Sequence, residues 1–344
     1  MFCHNSPLVS VIVTAKNEAG TIQECITSIL GQDYPNFELI FVDGHSEDGT
    51  FKIAANLKSK VQYFPNCKRY IFLTVDANSP AIGRNIGLTE SKGEVIAFTD
   101  GDCIAEKKWL INLITVLPPQ GGIAGGSNII RHFNNSKITG TIDTILYSRI
   151  GNGGSAQFLK INSISEVEAV ATCNLAISKK LIDAAGRFNT KLRSNEDLDL
   201  CIRIRKMGYK IIYCPTAIVN HYIGIDSYCS FIKFIYKYGF QKGKSLTVKR
   251  ALLRYPATLL GFFLSFLFFI ALAMFTPFNE VCFYLLILLI TISCIIIEIL
   301  FVTISIREKS SDIALFGLII LLSIYIIYSS GVIVGYVKTR IKIL

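Results

Sequence analysis

Gly93-Glu94-Val95-Ile96-Ala97-Phe98-Thr99-Asp100-Gly101-Asp102 decides how this chain is read. Val95 to Phe98 is an apolar run that stops abruptly at two carboxylates separated by one glycine. A short apolar run bounded by turn formers reads as a buried strand. In open α/β sheets, ligands bind just beyond the carboxyl ends of the strands, which is where Asp100 and Asp102 would stand. Two carboxylates that close repel unless a cation or hydrogen-bond donors intervene. A hard divalent ion carrying substrate phosphates is the usual solution. Alone, the pair reads more readily as a polar turn, so its neighbours carry the weight.

Working outward, Leu8-Val9-Ser10-Val11-Ile12-Val13 reads as a first buried strand followed by the polar loop Thr14-Ala15-Lys16-Asn17-Glu18. Thr21 and Glu24 have capping-box spacing, and Ile22, Cys25, Ile26, Ile29 and Leu30 repeat at helical intervals. Gly31 can end that helix. Phe37–Val42 is a second strand that closes on Asp43, and the turn-rich Gly44-His45-Ser46-Glu47-Asp48-Gly49-Thr50 leads into a helical run to Leu57. Arg69–Val75 is a third strand, and Pro80–Leu88 a helix with proline in its first turn. Strand and helix therefore alternate up to the opening stretch. That alternation predicts an α/β fold with a mostly parallel sheet and helices on both faces. Neither G-x-G-x-x-G nor a P-loop is present, so nucleotide binding would rely on carboxylates and loop backbone.

After Lys107–Leu117 the alternation loosens, and the spacing predicts a strand at Ile123–Ile130 and a short helix at Ser178–Ala185 that Gly186 terminates. Ser194 or Asn195 caps the next helix. On it, Asp197, Leu200, Cys201 and Ile204 share one stripe, while Glu196, Asp199 and Arg203 lie on the other side. Glu196 is explained by the helix dipole, and Asp199 with Arg203 by an i, i+4 pair. An inward Asp197 is costly unless it is partnered or functional. Gly208–Pro215 gives a last strand, and His221 reads as hydrogen-bonded scaffolding rather than a ligand.

Composition divides the 344 residues in two. Hydrophobic residues make up 51% and mean hydropathy is +0.46, but the excess sits in 255–344. Three apolar segments there, 256–276, 281–306 and 313–337, are each long enough to span a bilayer. The expected organisation is a catalytic domain at 1–225, a basic amphipathic interfacial segment at 226–254, and an α-helical transmembrane region at 255–344. The net charge is +10. Lys233, Lys237, Lys242, Lys244, Lys249, Arg250 and Arg254 follow one another with no intervening acid. Directly before an apolar segment, such a run marks the cytoplasmic side of a membrane anchor rather than a nucleic-acid site. Phe231, Phe234, Ile235 and Tyr238 oppose Lys233 and Lys237, as in an interfacial helix contacting membrane lipids. The tail Lys338-Thr339-Arg340-Ile341-Lys342 falls outside after three spans, so either the first topology signals dominate or one segment does not cross. Leu8–Val13 is too short for a signal peptide. The ten cysteines lack C-x-x-C spacing, which fits reduced thiols in a cytoplasmic domain of a multi-pass cell-membrane protein.

Several motifs now converge. Val42-Asp43-Gly44-His45-Ser46-Glu47-Asp48-Gly49-Thr50 resembles the V-D-x-x-S-x-D-G-T loop of family 2 glycosyltransferases, whose catalytic domains have the GT-A fold. Asp100-Gly101-Asp102 matches that family's D-x-D. Asn195-Glu196-Asp197-Leu198-Asp199-Leu200-Cys201 is similar to its E-D-x-D-L motif, followed by Arg203 to Tyr209 in an R-x-x-x-x-G-Y arrangement. The resemblance covers about residues 7–225.

It implies that Thr14, Lys16, Asn17, Glu18 and Asp43 hold the nucleobase and ribose of a nucleotide-sugar donor, with Arg84 and Asn85 near the ribose or phosphates. Asp100 would contact the nucleotide, and Asp102 would bind Mg²⁺ or Mn²⁺. Asp197 would be the general base on an acceptor hydroxyl, with Thr172, Cys173, Asn174 and Glu196 on the acceptor side. No Q-x-x-R-W signature of processive synthases is present, which favours addition of one sugar. The reading is a membrane-anchored inverting glycosyltransferase using a donor expected to be UDP-linked, with a lipid-linked saccharide as acceptor and no nucleic-acid partner. A polyprenyl-phosphate sugar synthase is the alternative, since such enzymes share much of this pattern; their acceptor is already anionic and needs no strong base, so an inward Asp197 favours the hydroxyl acceptor. A non-catalytic transport or scaffold protein is a third reading, disfavoured by the intact D-x-D and E-D motifs.

Overall fold

The computed structural model describes residues 6–76, 79–134, 136–147, 161–192, 195–225, 227 and 229–234. In chain order its elements are β1 (Val9–Ala15), α1 (Ile22–Leu30), β2 (Phe37–Asp43), α2 (Thr50–Asn56), β3 (Cys67–Thr74), α3 (Pro80–Glu90), β4 (Val95–Asp100) and β5 (Cys103–Ala105). There follow α4 (Trp109–Val116), β6 (Gly122–Arg131), α5 (Lys137–Leu146), β7 (Ser165–Glu166), β8 (Leu175–Ser178), α6 (Lys179–Ala184), α7 (Glu196–Lys206) and β9 (Lys210–Tyr222). One compact unit comprises 1–133 and 152–224, whereas 134–151 and 225–344 group separately. In the latter group Ser136 caps α5 by accepting the Thr139 N–H at 3.2 Å, and residues 229–234 are helical. The remainder of the expected interfacial helix and the segments 256–276, 281–306 and 313–337 lie outside the described residues. Among the described residues, no helix is long and apolar enough to cross a membrane.

In the first unit one mixed sheet runs in the order β3-β2-β1-β4-β8-β6-β9-β5, with β7 paired to β9. The expectation of a mostly parallel sheet holds only for β3-β2-β1-β4 and for β6 against β9. β8 runs antiparallel to both β4 and β6, and β5 and β7 antiparallel to β9. The cause lies in the connections: helical crossovers force parallel pairing, and the regular strand–helix alternation ends at β4.

Helices do cover both faces. Alternate side chains of one strand point to opposite sides, so Val9, Val11 and Val13 pack with α1 and α4 residues such as Cys25, Ile29 and Trp109. Ile12, Ile40 and Phe98 instead pack with α3, α6 and α7 through Leu88, Ile182 and Leu200. The predicted stripe of α1, Ile22, Cys25, Ile26, Ile29 and Leu30, is its buried face. The capping box at its start is not formed. Thr21 is buried, and its hydroxyl donates to the Gly101 carbonyl at 3.0 Å, tying the helix start to the Asp100–Asp102 turn. Asn195 precedes α7 in the left-handed conformation (φ 61°) and makes no side-chain cap.

Candidate active site

The parallel register sets Ala15 beside Asp43 and Thr14 beside Asp100, so three strands end together at one sheet edge. Beyond that edge lies a cleft of about 330 Å³, whose lining includes Thr14, Lys16, Glu18, Arg84, Asp100 and Asp102. Gly101 turns the chain between the two aspartates. A Cβ there would come within 2.5 Å of the Ala15 Cβ, so the middle residue of this D-x-D must be glycine. Asp100 ends β4 and Asp102 leads into β5, which pairs with β9 so that Cys103 faces His221. The Asp102 carbonyl accepts the Tyr222 N–H at 2.8 Å.

Two loops above the edge are laced together. Ser46 Oγ accepts the Asn17 N–H (2.8 Å), and Asn17 Oδ1 accepts the Glu47 N–H (3.0 Å). Asp48 Oδ2 accepts the Ala19 N–H, while Thr50 Oγ1 accepts the Glu18 N–H at 2.8 Å. Gly49 (φ 95°) supplies the left-handed turn before α2. The S-x-D-G-T spacing thus supplies side-chain acceptors for the backbone N–H groups of Asn17, Glu18 and Ala19, which holds that loop against the strand ends.

Arg84 is the hinge of the charge arrangement. Its guanidinium donates to Asp100 Oδ1 at 2.7 Å and to Glu196 Oε1 at 2.6 Å, and lies 5.7 Å from the Phe188 ring centroid. Glu196 is therefore a buried ion-pair partner, more than a helix-dipole residue. Asp197 beside it is half-buried, and Oδ1 accepts the Leu198 N–H at 2.7 Å. Burial, with Glu196 nearby, pushes its carboxyl up to about 6. Burial also raises Glu18 to about 7, helped by Asp102 and Asp100. At Asp102 burial acts upward, but His221 Nε2, 3.0 Å from Oδ2, overrides it and holds the carboxyl below its usual range.

The remaining expected site residues fall in different places. Lys16 is exposed on the cleft, and Asn17 braces the two loops. Asn85 departs from the expectation that placed it near ribose or phosphates: both ends of its amide bond the Phe188 backbone, at 2.8 and 3.0 Å. Asp43 is buried below the loop, where Oδ2 accepts the Ser46 N–H and Oδ1 has no partner among the described residues. Thr172, Cys173 and Asn174 form a buried 3₁₀ turn. Asn174 accepts from Trp109 Nε1 and gives both amide hydrogens to the carbonyls of Ser127 and Ala217, so it braces the fold. Two polar groups escaped the sequence reading. Ser79 lines the cleft with its buried hydroxyl unpartnered among the described residues. His221, expected as scaffolding, instead meets Asp102, an aspartate 119 residues away to which nothing in the sequence connects it.

Residues 10–174 match the model for Glycosyl transferase family 2. The match runs from β1 to the Thr172–Asn174 turn, so this stretch is similar to family 2 glycosyltransferases. The chain is 27% identical over 218 residues to the glycosyltransferase AglE of Haloferax volcanii, covering 62% of this chain and 67% of that protein. It is 26% identical over 242 residues to a dolichyl N-acetyl-alpha-D-glucosaminyl phosphate 3-beta-D-2,3-diacetamido-2,3-dideoxy-beta-D-glucuronosyltransferase of Methanococcus voltae, covering 68% and 73% respectively. In fold it is similar to the mannosyltransferase PcManGT of Pyrobaculum calidifontis, solved with GDP-Man and Mn²⁺. That likeness has a TM-score of 0.50 and 21% identity, and covers 70% of this chain and 62% of the other. The mixed α/β domain is accordingly GT-A-like.

Proposed function

We propose that the chain is a metal-dependent, inverting glycosyltransferase that moves a sugar from a nucleotide-sugar donor to a hydroxyl of a lipid-linked saccharide. In this reading residues 255–344 anchor it in the cell membrane and the catalytic domain faces the cytoplasm. One observation carries the activity: Asp100 and Asp102 face a single cleft at the strand edge, with Arg84 bound to Asp100 and Asp197, its carboxyl raised to about 6, in the same charge cluster.

The donor set fits a hard divalent ion. Asp102 offers carboxylate oxygens and His221 a ring nitrogen, with Asp100 and Glu18 alongside, a set suited to Mg²⁺ or Mn²⁺. Such an ion neutralises charge on a departing diphosphate. The chain's own residues supply the rest. Ser79 Oγ and Arg84 Nε are buried, unpartnered among the described residues, and belong to residues lining the cleft. Leaving such groups unpaired costs about 1–3 kcal/mol each, and phosphate oxygens would relieve that cost. Asp43, buried between the lining residues Val42 and Gly44, leaves Oδ1 without a partner among the described residues and is read as the acceptor for a nucleoside donor group. Asp197 accepts the proton of the attacking hydroxyl as its oxygen bonds the anomeric carbon and the bond to the diphosphate breaks.

A carboxyl near 6 is largely ionised at neutral pH and basic enough to be useful, which supports a hydroxyl acceptor over an already anionic phosphate. The Methanococcus voltae relative, whose name describes transfer onto a dolichyl-phosphate-linked sugar, supports the same acceptor class. Equilibrium binding of UDP, GDP and dTDP to the full chain with and without Mn²⁺ tests the donor side. The proposal expects tight binding of one nucleotide only with the ion present. Equal, weak binding of all three, unaffected by the ion, contradicts it.

A further inference from the structure

We propose that Cys103, Cys173 and His221 form a binding site for a soft divalent ion of the zinc class, buried behind the cleft floor, with Asp102 as fourth ligand. β5–β9 pairing sets Cys103 opposite His221, and the 3₁₀ turn Thr172–Asn174 brings Cys173 to both. All three are buried, and one ligand atom from each lies within 4.8 Å of the others. Cys173 is in hydrogen-bond reach of both Cys103 and His221. Asp102 closes the ring: Oδ1 accepts from Cys103 Sγ at 3.3 Å, and Oδ2 lies 3.0 Å from His221 Nε2.

A tetrahedral zinc site with bonds of about 2.0–2.3 Å places its ligand atoms about 3.3–3.8 Å apart. Cys103, Cys173 and His221 thus need contract by about 1–1.5 Å at most to meet that geometry, and Asp102 already touches two of them. Two sulfurs and an imidazole select zinc-class ions over Mg²⁺ or Mn²⁺. Access is through Asp102, whose side chain is 23% exposed on the cleft. On binding, the two thiols release their protons to solvent.

Buried cysteines are often simple packing residues. Those elsewhere in the described residues behave so: Cys25, Cys67 and Cys201 each bond a backbone carbonyl, and Cys214 contacts the Thr216 hydroxyl. Cys103 and Cys173 differ in facing each other and a histidine. A consequence, resting on the catalytic reading of Asp102, is antagonism: a zinc-class ion held by His221 and Asp102 withdraws both from the donor diphosphate, so transfer stops.

Cobalt(II) absorption of the reduced, full-length protein in detergent tests this. One equivalent of Co²⁺ should give thiolate-to-cobalt charge transfer and the visible bands of tetrahedral cobalt, and Zn²⁺ should displace it. The double variant Cys103→Ser/Cys173→Ser should lose the bands while circular dichroism shows it folded, and Cys201→Ser should keep them. Absence of charge transfer in the parent protein, or its persistence in the double variant, overturns the site. Zn²⁺ should also inhibit Mn²⁺-dependent transfer by the parent protein. Bands without inhibition would keep the site and contradict the catalytic reading of Asp102.

Discussion

Arg84 and Glu196 stand 112 residues apart in sequence, yet their side chains meet at 2.6 Å with both largely buried. Through the same guanidinium, the end of β4 is coupled to the start of α7. The D-x-D and E-D motifs are therefore one ionic structure, so damage to Arg84 reaches both.

Arg84→Met leaves Glu196 without its counter-charge in a buried setting. Loss of one partner of a buried pair costs about 3–5 kcal/mol. Thermal unfolding of the detergent-solubilised chain should show that loss, and Arg84→Met/Glu196→Gln should recover much of it. Equal destabilisation of the single and double variants would contradict the coupling.

Gly101→Ala should fail for a steric reason that can be undone. The new Cβ would meet the Ala15 Cβ at 2.5 Å, and neither atom sits on a flexible side chain. Overpacking of this kind costs about 1–3 kcal/mol, and here it moves both aspartates. Nucleotide affinity should fall in Gly101→Ala and return in Ala15→Gly/Gly101→Ala, as measured by equilibrium dialysis.

Glu18 gives a stability effect with a defined sign. Its folded-state carboxyl titrates near 7 instead of the ordinary 4.5, so the native state binds the proton more tightly than the unfolded chain. Glu18 thus contributes stability that is fully present below about pH 4.5 and lost as pH rises through 7. Glu18→Gln removes that penalty. Relative to the parent protein it should gain about 1–2 kcal/mol at pH 8, after allowance for partial exposure, and nothing comparable at pH 5. A gain that is the same at both pH values would contradict the assignment.

Much of the parallel half of the sheet was legible because its signals are local. The α1 stripe, the apolar runs of β1, β2 and β4, and the aspartates at two strand ends each lie within a few residues. β5 and β8 were not legible: strands of three and four residues carry no usable periodicity, and their pairing with β9, β4 and β6 is non-local. The same limit hid the contact between Asp102 and His221, which depends on β5–β9 pairing. Glu196 was assigned to the helix dipole because its partner Arg84 sits on another helix. Asn85 looked available because its competing partner is backbone, which no side-chain pattern reveals.

Asp197 carries the most direct test, the pH dependence of transfer from labelled nucleotide sugar to a lipid-linked saccharide in membranes. The base must be ionised to accept the hydroxyl proton, so transfer by the parent protein should rise with pH through about 6. Asp197→Asn should lose that limb and about 10²–10⁴-fold in rate, while still binding nucleotide in the presence of Mn²⁺. Label appearing only on bare polyprenyl phosphate, or full transfer by Asp197→Asn, would contradict the account.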